Sequence, residues 1–123
     1  MNKKVLVVED DFDISEIIEI VLTQEQYAVF TSATGQDVVE LINKHHPDVI
    51  LLDIRLGNLD GMQICRYLKD EKICSNTPII LMSAHVVNAD IIDETCADDF
   101  LPKPFDIDNL INKVNKAVNN NTR

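Results

Sequence analysis

The stretch Val49-Ile50-Leu51-Leu52-Asp53 carries four apolar residues in unbroken succession and then a carboxylate. A strand with one face in water alternates apolar and polar residues. A continuous apolar run marks a strand covered on both faces, as in a parallel sheet. Val5-Leu6-Val7-Val8 and Ile79-Ile80-Leu81-Met82 have the same character, Ala28-Val29-Phe30 is shorter, and Asp99-Phe100-Leu101 is weaker and cut off by Pro102. Between these runs the spacing turns helical. Ile14, Ile17, Ile18, Val21 and Leu22 line one helix face, and Asp13 with Glu16 has the form of a capping box at its start. Val38, Leu41 and Ile42 mark a second helix after Gly35, ending at His45-His46 before Pro47. Met62, Cys65 and Leu68 mark a third after Asp60-Gly61. Ile107, Leu110, Ile111, Val114 and Val118 mark a last one, with Asp106 placed to cap it. Strand and helix in alternation predict right-handed crossovers and helices on both faces, an α/β fold with a doubly wound five-stranded parallel sheet.

The 123 residues predict one domain, 1–123, large enough to bury a core without staples. A net charge of −10 argues against nucleic acid and against an anionic membrane surface as partners, since both are bound through clustered Lys and Arg. No apolar run reaches the roughly 18 residues of a spanning helix. Met1-Asn2-Lys3-Lys4 leads directly into the first apolar run without a small-residue cleavage site. Cys65, Cys74 and Cys96 lie far apart and outside any C-x-x-C, which reads as reduced packing thiols. Together these features predict a cytoplasmic protein.

In open parallel sheets, ligands bind beyond the carboxyl ends of the strands. Here those ends carry Glu9-Asp10-Asp11, Asp53, Ser83-Ala84 and Lys103-Pro104. Glu9, Asp10 and Asp53 outnumber Lys103, and the surplus negative charge calls for a divalent cation; an all-oxygen donor set suits Mg²⁺. A carboxylate beside Mg²⁺, with an ammonium and a hydroxyl in reach, is equipped for phosphoryl transfer. Asp53 can serve as nucleophile and become an acyl phosphate, with Lys103, Ser83 and the Ala84 backbone N–H each taking a phosphoryl oxygen. Against this stand simpler readings. The acids of the first loop favour a helix N-terminus, Lys103 is a loop charge, and His45-His46 complements a helix C-terminus.

The chain resembles the receiver domain of two-component response regulators over essentially its whole length. The resemblance rests on Val7-Val8-Glu9-Asp10-Asp11, on Leu51-Leu52-Asp53-Ile54-Arg55-Leu56 followed by Asp60-Gly61, on Ser83-Ala84, and on Ala97-Asp98-Asp99-Phe100-Leu101-Pro102-Lys103-Pro104-Phe105. Each motif alone is weak; four in order, each at a predicted strand end, are specific. The resemblance implies a flavodoxin-like (CheY-like) sheet of strand order 2-1-3-4-5, with two helices on one face and three on the other. It implies a non-enzymatic signalling switch in which Asp53 accepts a phosphoryl group from a histidine kinase or phosphotransfer protein. It places Mg²⁺, or Mn²⁺ in its stead, on Asp10, Asp53 and the Arg55 carbonyl, with Glu9 helping directly or through water. Ser83 and Phe100 become the switch pair, Lys103 the phosphate partner with a cis bond to Pro104, and helix 4, strand 5 and helix 5 the surface read by a downstream protein.

The chain departs from the family pattern at Gly57, where proline is usual, at Cys96, which replaces a common glycine, and at Phe100, which replaces a commoner tyrosine. The resemblance also implies that Arg55 and His85 occupy the positions that flank the path of the hydrolytic water. Neither orients water well, which predicts slow self-dephosphorylation. The connection from Ala84 to Cys96 leaves room for only a short helix, capped by Asn88 and carrying the β-branched Ile91, Ile92 and Thr95. A phosphohydrolase working through an aspartyl phosphate and a flavodoxin-like electron carrier share this architecture. The first usually has a second acid where Arg55 stands. The second needs a phosphate cradle where Glu9-Asp10-Asp11 would repel one. The chain as given carries no output domain, so it is either a stand-alone receiver or a piece of a longer regulator.

Overall fold

The computed structural model describes residues 2–84 and 97–120. The predicted apolar runs become strands β1 (Lys4–Val8), β2 (Ala28–Ser32), β3 (Val49–Asp53), β6 (Ile79–Ser83) and β7 (Asp99–Pro102). Helices α1 (Phe12–Gln24), α2 (Val38–His45), α3 (Gly61–Asp70) and a last helix, Ile107–Asn120, alternate with them. The main sheet is ordered β2-β1-β3-β6-β7 and every pairing in it is parallel. This is the predicted order 2-1-3-4-5 once a small antiparallel hairpin, β4 (Arg55–Leu56) with β5 (Leu59–Asp60), is counted separately.

Unbroken apolar runs are needed because successive side chains point to opposite faces, and both faces are covered. Val5, Val7, Val49, Leu51, Ile80, Met82 and Leu101 face one way and pack with Ile18 and Leu22 of α1 and Leu110 and Val114 of the last helix. Leu6, Val8, Ile50, Leu52, Ile79 and Leu81 face the other way and meet Val38 and Ile42 of α2 and Cys65 and Leu68 of α3. All five residues of β3 and of β6 are buried. Each fully buried aliphatic side chain there stabilises the fold by about 1.5–3 kcal/mol before ordering costs.

Three local expectations change. Asp11, not Asp13, caps α1: its carboxylate accepts the N–H groups of Asp13 at 2.9 Å and Ile14 at 3.2 Å. Asp11 holds the extended backbone that an N-cap requires, whereas Asp13 is already inside the helix. Asp106 does cap the last helix, accepting the Asn109 N–H. Secondly, β4 and β5 form a hairpin around Gly57-Asn58 that the periodicity did not reveal. Thirdly, Cys74 is a free buried thiol as expected, but Cys65 is disulfide-bonded. The expected short helix between Ala84 and Cys96, and His85, also lie outside the described residues. His46 ends α2 in the left-handed conformation, and His45 stacks on Phe30 with ring centroids 3.8 Å apart.

Candidate functional site

Parallel strands bring all their carboxyl ends to one edge of the sheet. The register pairs Val8 with Leu52, Asp53 with Met82, and Ser83 with Pro102. Glu9, Asp53, Ser83 and Lys103 therefore gather on one rim, although Glu9 and Lys103 are 94 positions apart in the chain. Glu9, Asp53 and Ser83 are buried, with 2%, 6% and 4% of their surfaces exposed, while Asp10 is exposed.

One carboxylate oxygen from each of Glu9, Asp10 and Asp53 lies within 4.8 Å of the other two. Such close oxygen donors fit a hard divalent cation, whose coordination sphere takes a few carboxylates and fills the rest with water. The Lys103 ammonium is ion-paired with Glu9 and with Asp53 Oδ2, the latter at 3.2 Å. Its backbone N–H donates to the Ser83 carbonyl at 2.7 Å, which ties the β7 loop to the end of β6. The Lys103-Pro104 bond is cis, as the resemblance implied.

Crowding of acids shifts the protonation equilibria. Burial, reinforced by hydrogen bonding with and charge from Asp53, pushes the Glu9 carboxyl up to about 7, against the opposing pull of Lys103. Burial alone would lower the Lys103 ammonium, but hydrogen bonding and charge from Glu9, then from Asp53, carry it above the ordinary lysine value. Lys103 is thus firmly cationic, and Glu9 is held back from ionising.

The second loop is built for close approach. A Cβ on Gly61 would stand 2.0 Å from the Asp53 carbonyl oxygen, so only glycine lets the start of α3 pass beneath the end of β3. The Gly61 N–H donates to the Ile54 carbonyl at 2.7 Å, and Asp60 caps α3 through the Met62 N–H at 2.9 Å. The Asp60-Gly61 motif is accounted for by these two contacts. Asp53 Oδ1 has the Arg55 N–H at 3.4 Å, a long contact, and the Arg55 side chain points to solvent as an exposed residue. Asp10 Oδ2 accepts the Gly57 N–H at 3.1 Å.

Ser83 closes β6 and Ala84 follows it as an exposed residue. Phe100 is half-buried against the α2–α3 side of the core, on the strand next to Ser83. The residues read from strand ends in the sequence are therefore brought together, apart from His85, which lies outside the described residues. The Gly57 amide was missed. Its signal was present, since Gly-Asn between Leu56 and Leu59 is a two-residue hairpin pattern with glycine first, and Gly57 has φ +61°.

The same fold recurs in solved structures. The receiver domain of the Francisella response regulator 1452 is 34% identical, with a TM-score of 0.87, over 97% of this chain and 98% of that one. NtrX from Brucella abortus is 28% identical, TM-score 0.87, over 98% of this chain but 28% of its own. A CheY-like receiver domain protein from Methanospirillum hungatei, 21% identical over 98% of this chain and 97% of its own, shares the fold with a TM-score of 0.89. The family model for the response regulator receiver domain matches residues 5–115. With every strand-end motif inside that span and the acids, hydroxyl and lysine on one rim, the chain belongs to the response regulator receiver domains.

Proposed function

We propose that the domain is a phosphorylation-activated switch in which Asp53 accepts a phosphoryl group from a histidine kinase or a histidine phosphotransfer protein. The observation that carries this reading is the buried Asp53 carboxylate at the end of the central strand, with Glu9, Asp10 and the Lys103 ammonium around it. An Asp53 oxygen attacks phosphorus; the new P–O bond forms as the donor's P–N bond breaks, and the electron pair of that bond returns to the donor imidazole. Glu9, Asp10, Asp53 and the Arg55 carbonyl would hold Mg²⁺ (or Mn²⁺), which supplies neutralising charge for the phosphoryl oxygens. Lys103, kept cationic by its acid neighbours, exchanges its contact with Asp53 Oδ2 for a phosphoryl oxygen. The Ser83 hydroxyl and the Ala84 N–H complete the oxyanion contacts. Ser83 moving toward the phosphoryl group leaves space into which Phe100 follows, changing a surface on β7, the last helix and the segment before β7. That surface is read by a downstream protein.

A protein donor suits the surroundings of the rim. Ile14, Ile17, Ala84, Lys103, Pro104, Phe105 and Ile107 line a groove of about 450 Å³ beside the site. Ile17 and Ile107 of that lining are each 51% exposed, an apolar border that a small soluble donor does not need. No described helix is long and apolar enough to cross a membrane. We place the domain in the cytoplasm, where its kinase would present phosphohistidine.

Incubation with Mg²⁺ and a small acyl-phosphate donor, read by intact mass, tests the assignment. One phosphoryl group is expected on the unmodified protein, none on Asp53→Asn, and a slowed or uncoupled response in Lys103→Ala. Persistent labelling of Asp53→Asn would sink it. By the family pattern Arg55 and His85 take the two positions that flank the water path, so we propose slow decay of the phosphorylated form, with His85→Glu or His85→Asn expected to shorten its half-life.

A further inference from the structure

The three acids of the site are held in different ways. Glu9 and Asp53 are buried and both are paired with Lys103. Asp10 is exposed, and its side chain accepts a hydrogen bond from the Gly57 N–H, 47 positions away at the tip of the β4–β5 hairpin. An exposed carboxylate samples several rotamers in water, and a cation must order it on binding unless another contact has already done so. A carboxylate has two oxygens, so accepting the Gly57 N–H on Oδ2 leaves the other free to ligate. Proline, the usual family residue at this position, has no N–H to donate. The left-handed φ of +61° that aims the amide also belongs to glycine, and a Cβ there would meet nothing within 4 Å. The hairpin thus replaces a donor-free turn with one whose amide points at a cation ligand.

We propose that the Gly57 amide is a positioning group for Asp10, fixing that side chain before the cation arrives and thereby tightening Mg²⁺ binding. This rests on the reading of Glu9, Asp10 and Asp53 as the Mg²⁺ site. Partners in the outer shell of a metal site orient the ligands, and their removal typically lowers affinity 10–100-fold; for an exposed bond the low end, about 10-fold, is expected.

Two measurements on the whole domain test the proposal, Mg²⁺ affinity by calorimetry and amide exchange by NMR with selectively labelled glycine. The chain has 3 glycines, so each amide is separately visible. Gly35 donates to Ser32 Oγ and Gly61 to the Ile54 carbonyl, and both serve as internal references. Gly57→Pro should weaken Mg²⁺ about 10-fold. Gly57→Asn keeps the N–H and tolerates a left-handed φ, and should stay within about 2-fold of the unmodified protein. In the metal-free state Asp10→Ala should speed exchange of the Gly57 amide while Gly35 and Gly61 stay unchanged.

Equal affinity in Gly57→Pro and the unmodified protein overturns the proposal while leaving the Mg²⁺ site intact. Equal losses in Gly57→Asn and Gly57→Pro also overturn it, because the turn's shape rather than its donor would then matter. Should Gly57→Pro lose the Gly35 and Gly61 signals through misfolding, the exchange measurement stands alone, and a Gly57 amide indifferent to Asp10→Ala refutes the proposal. Absence of Mg²⁺ binding by the unmodified protein is a different failure. It removes the site reading itself, and the proposal with it.

Discussion

Two strand-to-helix connections form most of the site, and they are built on different principles. The first, residues 9–11 between β1 and α1, is short and contributes charge: Glu9 and Asp10 to the cluster and Asp11 to the helix cap. The second, residues 54–60 between β3 and α3, is longer and contributes shape: a hairpin whose tip donates to Asp10, and a glycine at its exit that lets α3 approach the Asp53 peptide. Both end in an aspartate that caps the following helix. Local capping chemistry is thus common to the two, while the functional content of the first lies in its side chains and that of the second largely in its backbone. Acids can be read from a sequence directly; backbone donors and close approaches emerge when the chain is folded.

The sharpest way to break the second connection is Gly61→Ala. Its Cβ would be 2.0 Å from a main-chain oxygen that cannot swing aside, so β3 or α3 must shift. A loss of about 3 kcal/mol in urea unfolding is expected, against little for a comparable change at the open Gly57 position beyond its φ strain. A stability change under about 1 kcal/mol would mean that the approach is relaxed in solution.

Next in size is the pH response of the first connection. Glu9 ionises at about 7 when folded against 4.5 for the ordinary carboxyl. A raised folded value means that this group's stabilising contribution is fully present below the unfolded value and is lost as pH rises through the folded one. Without Mg²⁺, the domain should lose on the order of 2 kcal/mol from this group between pH 5 and pH 8. Glu9→Gln, which cannot ionise, should flatten that slope. A slope identical in Glu9→Gln and the unmodified protein would assign the pH dependence elsewhere.

The smallest effects test what the two connections share. Asp11→Ala and Asp60→Ala should each lower stability by about 1 kcal/mol through loss of a helix cap, measured by thermal unfolding. Asp11→Ala should leave Mg²⁺ affinity near its original value. Asp60→Ala should lower it modestly, because the Asp60 side chain caps α3 where the hairpin that carries the Gly57 donor joins that helix. Equal effects on Mg²⁺ affinity would erase the distinction between a connection of charge and a connection of shape.

Much of the fold could be read because its signals are local. The runs Val5–Val8, 49–52 and 79–82 needed no partner to announce strands covered on two faces, and helical spacing located all four described helices. Asp53, Glu9, Asp10, Ser83 and Lys103 could be read because each sits where an apolar run stops. What was misread depended on backbone torsion or on distant partners. Asp13-Glu16 has the letters of a capping box, yet Asp11 has the extended torsions. The identity of Cys65 as a disulfide cysteine was invisible in its spacing.

By itself, then, the sequence determined that this is a parallel α/β domain with acids, a hydroxyl and a lysine at its strand ends, because side-chain periodicity and run length are properties of neighbouring residues. Tertiary structure alone decided that Lys103 sits between Glu9 and Asp53, that α3 begins against the Asp53 carbonyl, and that Gly57 holds Asp10. Those contacts join residues tens of positions apart, and their geometry is set by strand register, helix packing and one left-handed turn. No local pattern encodes those quantities one residue at a time.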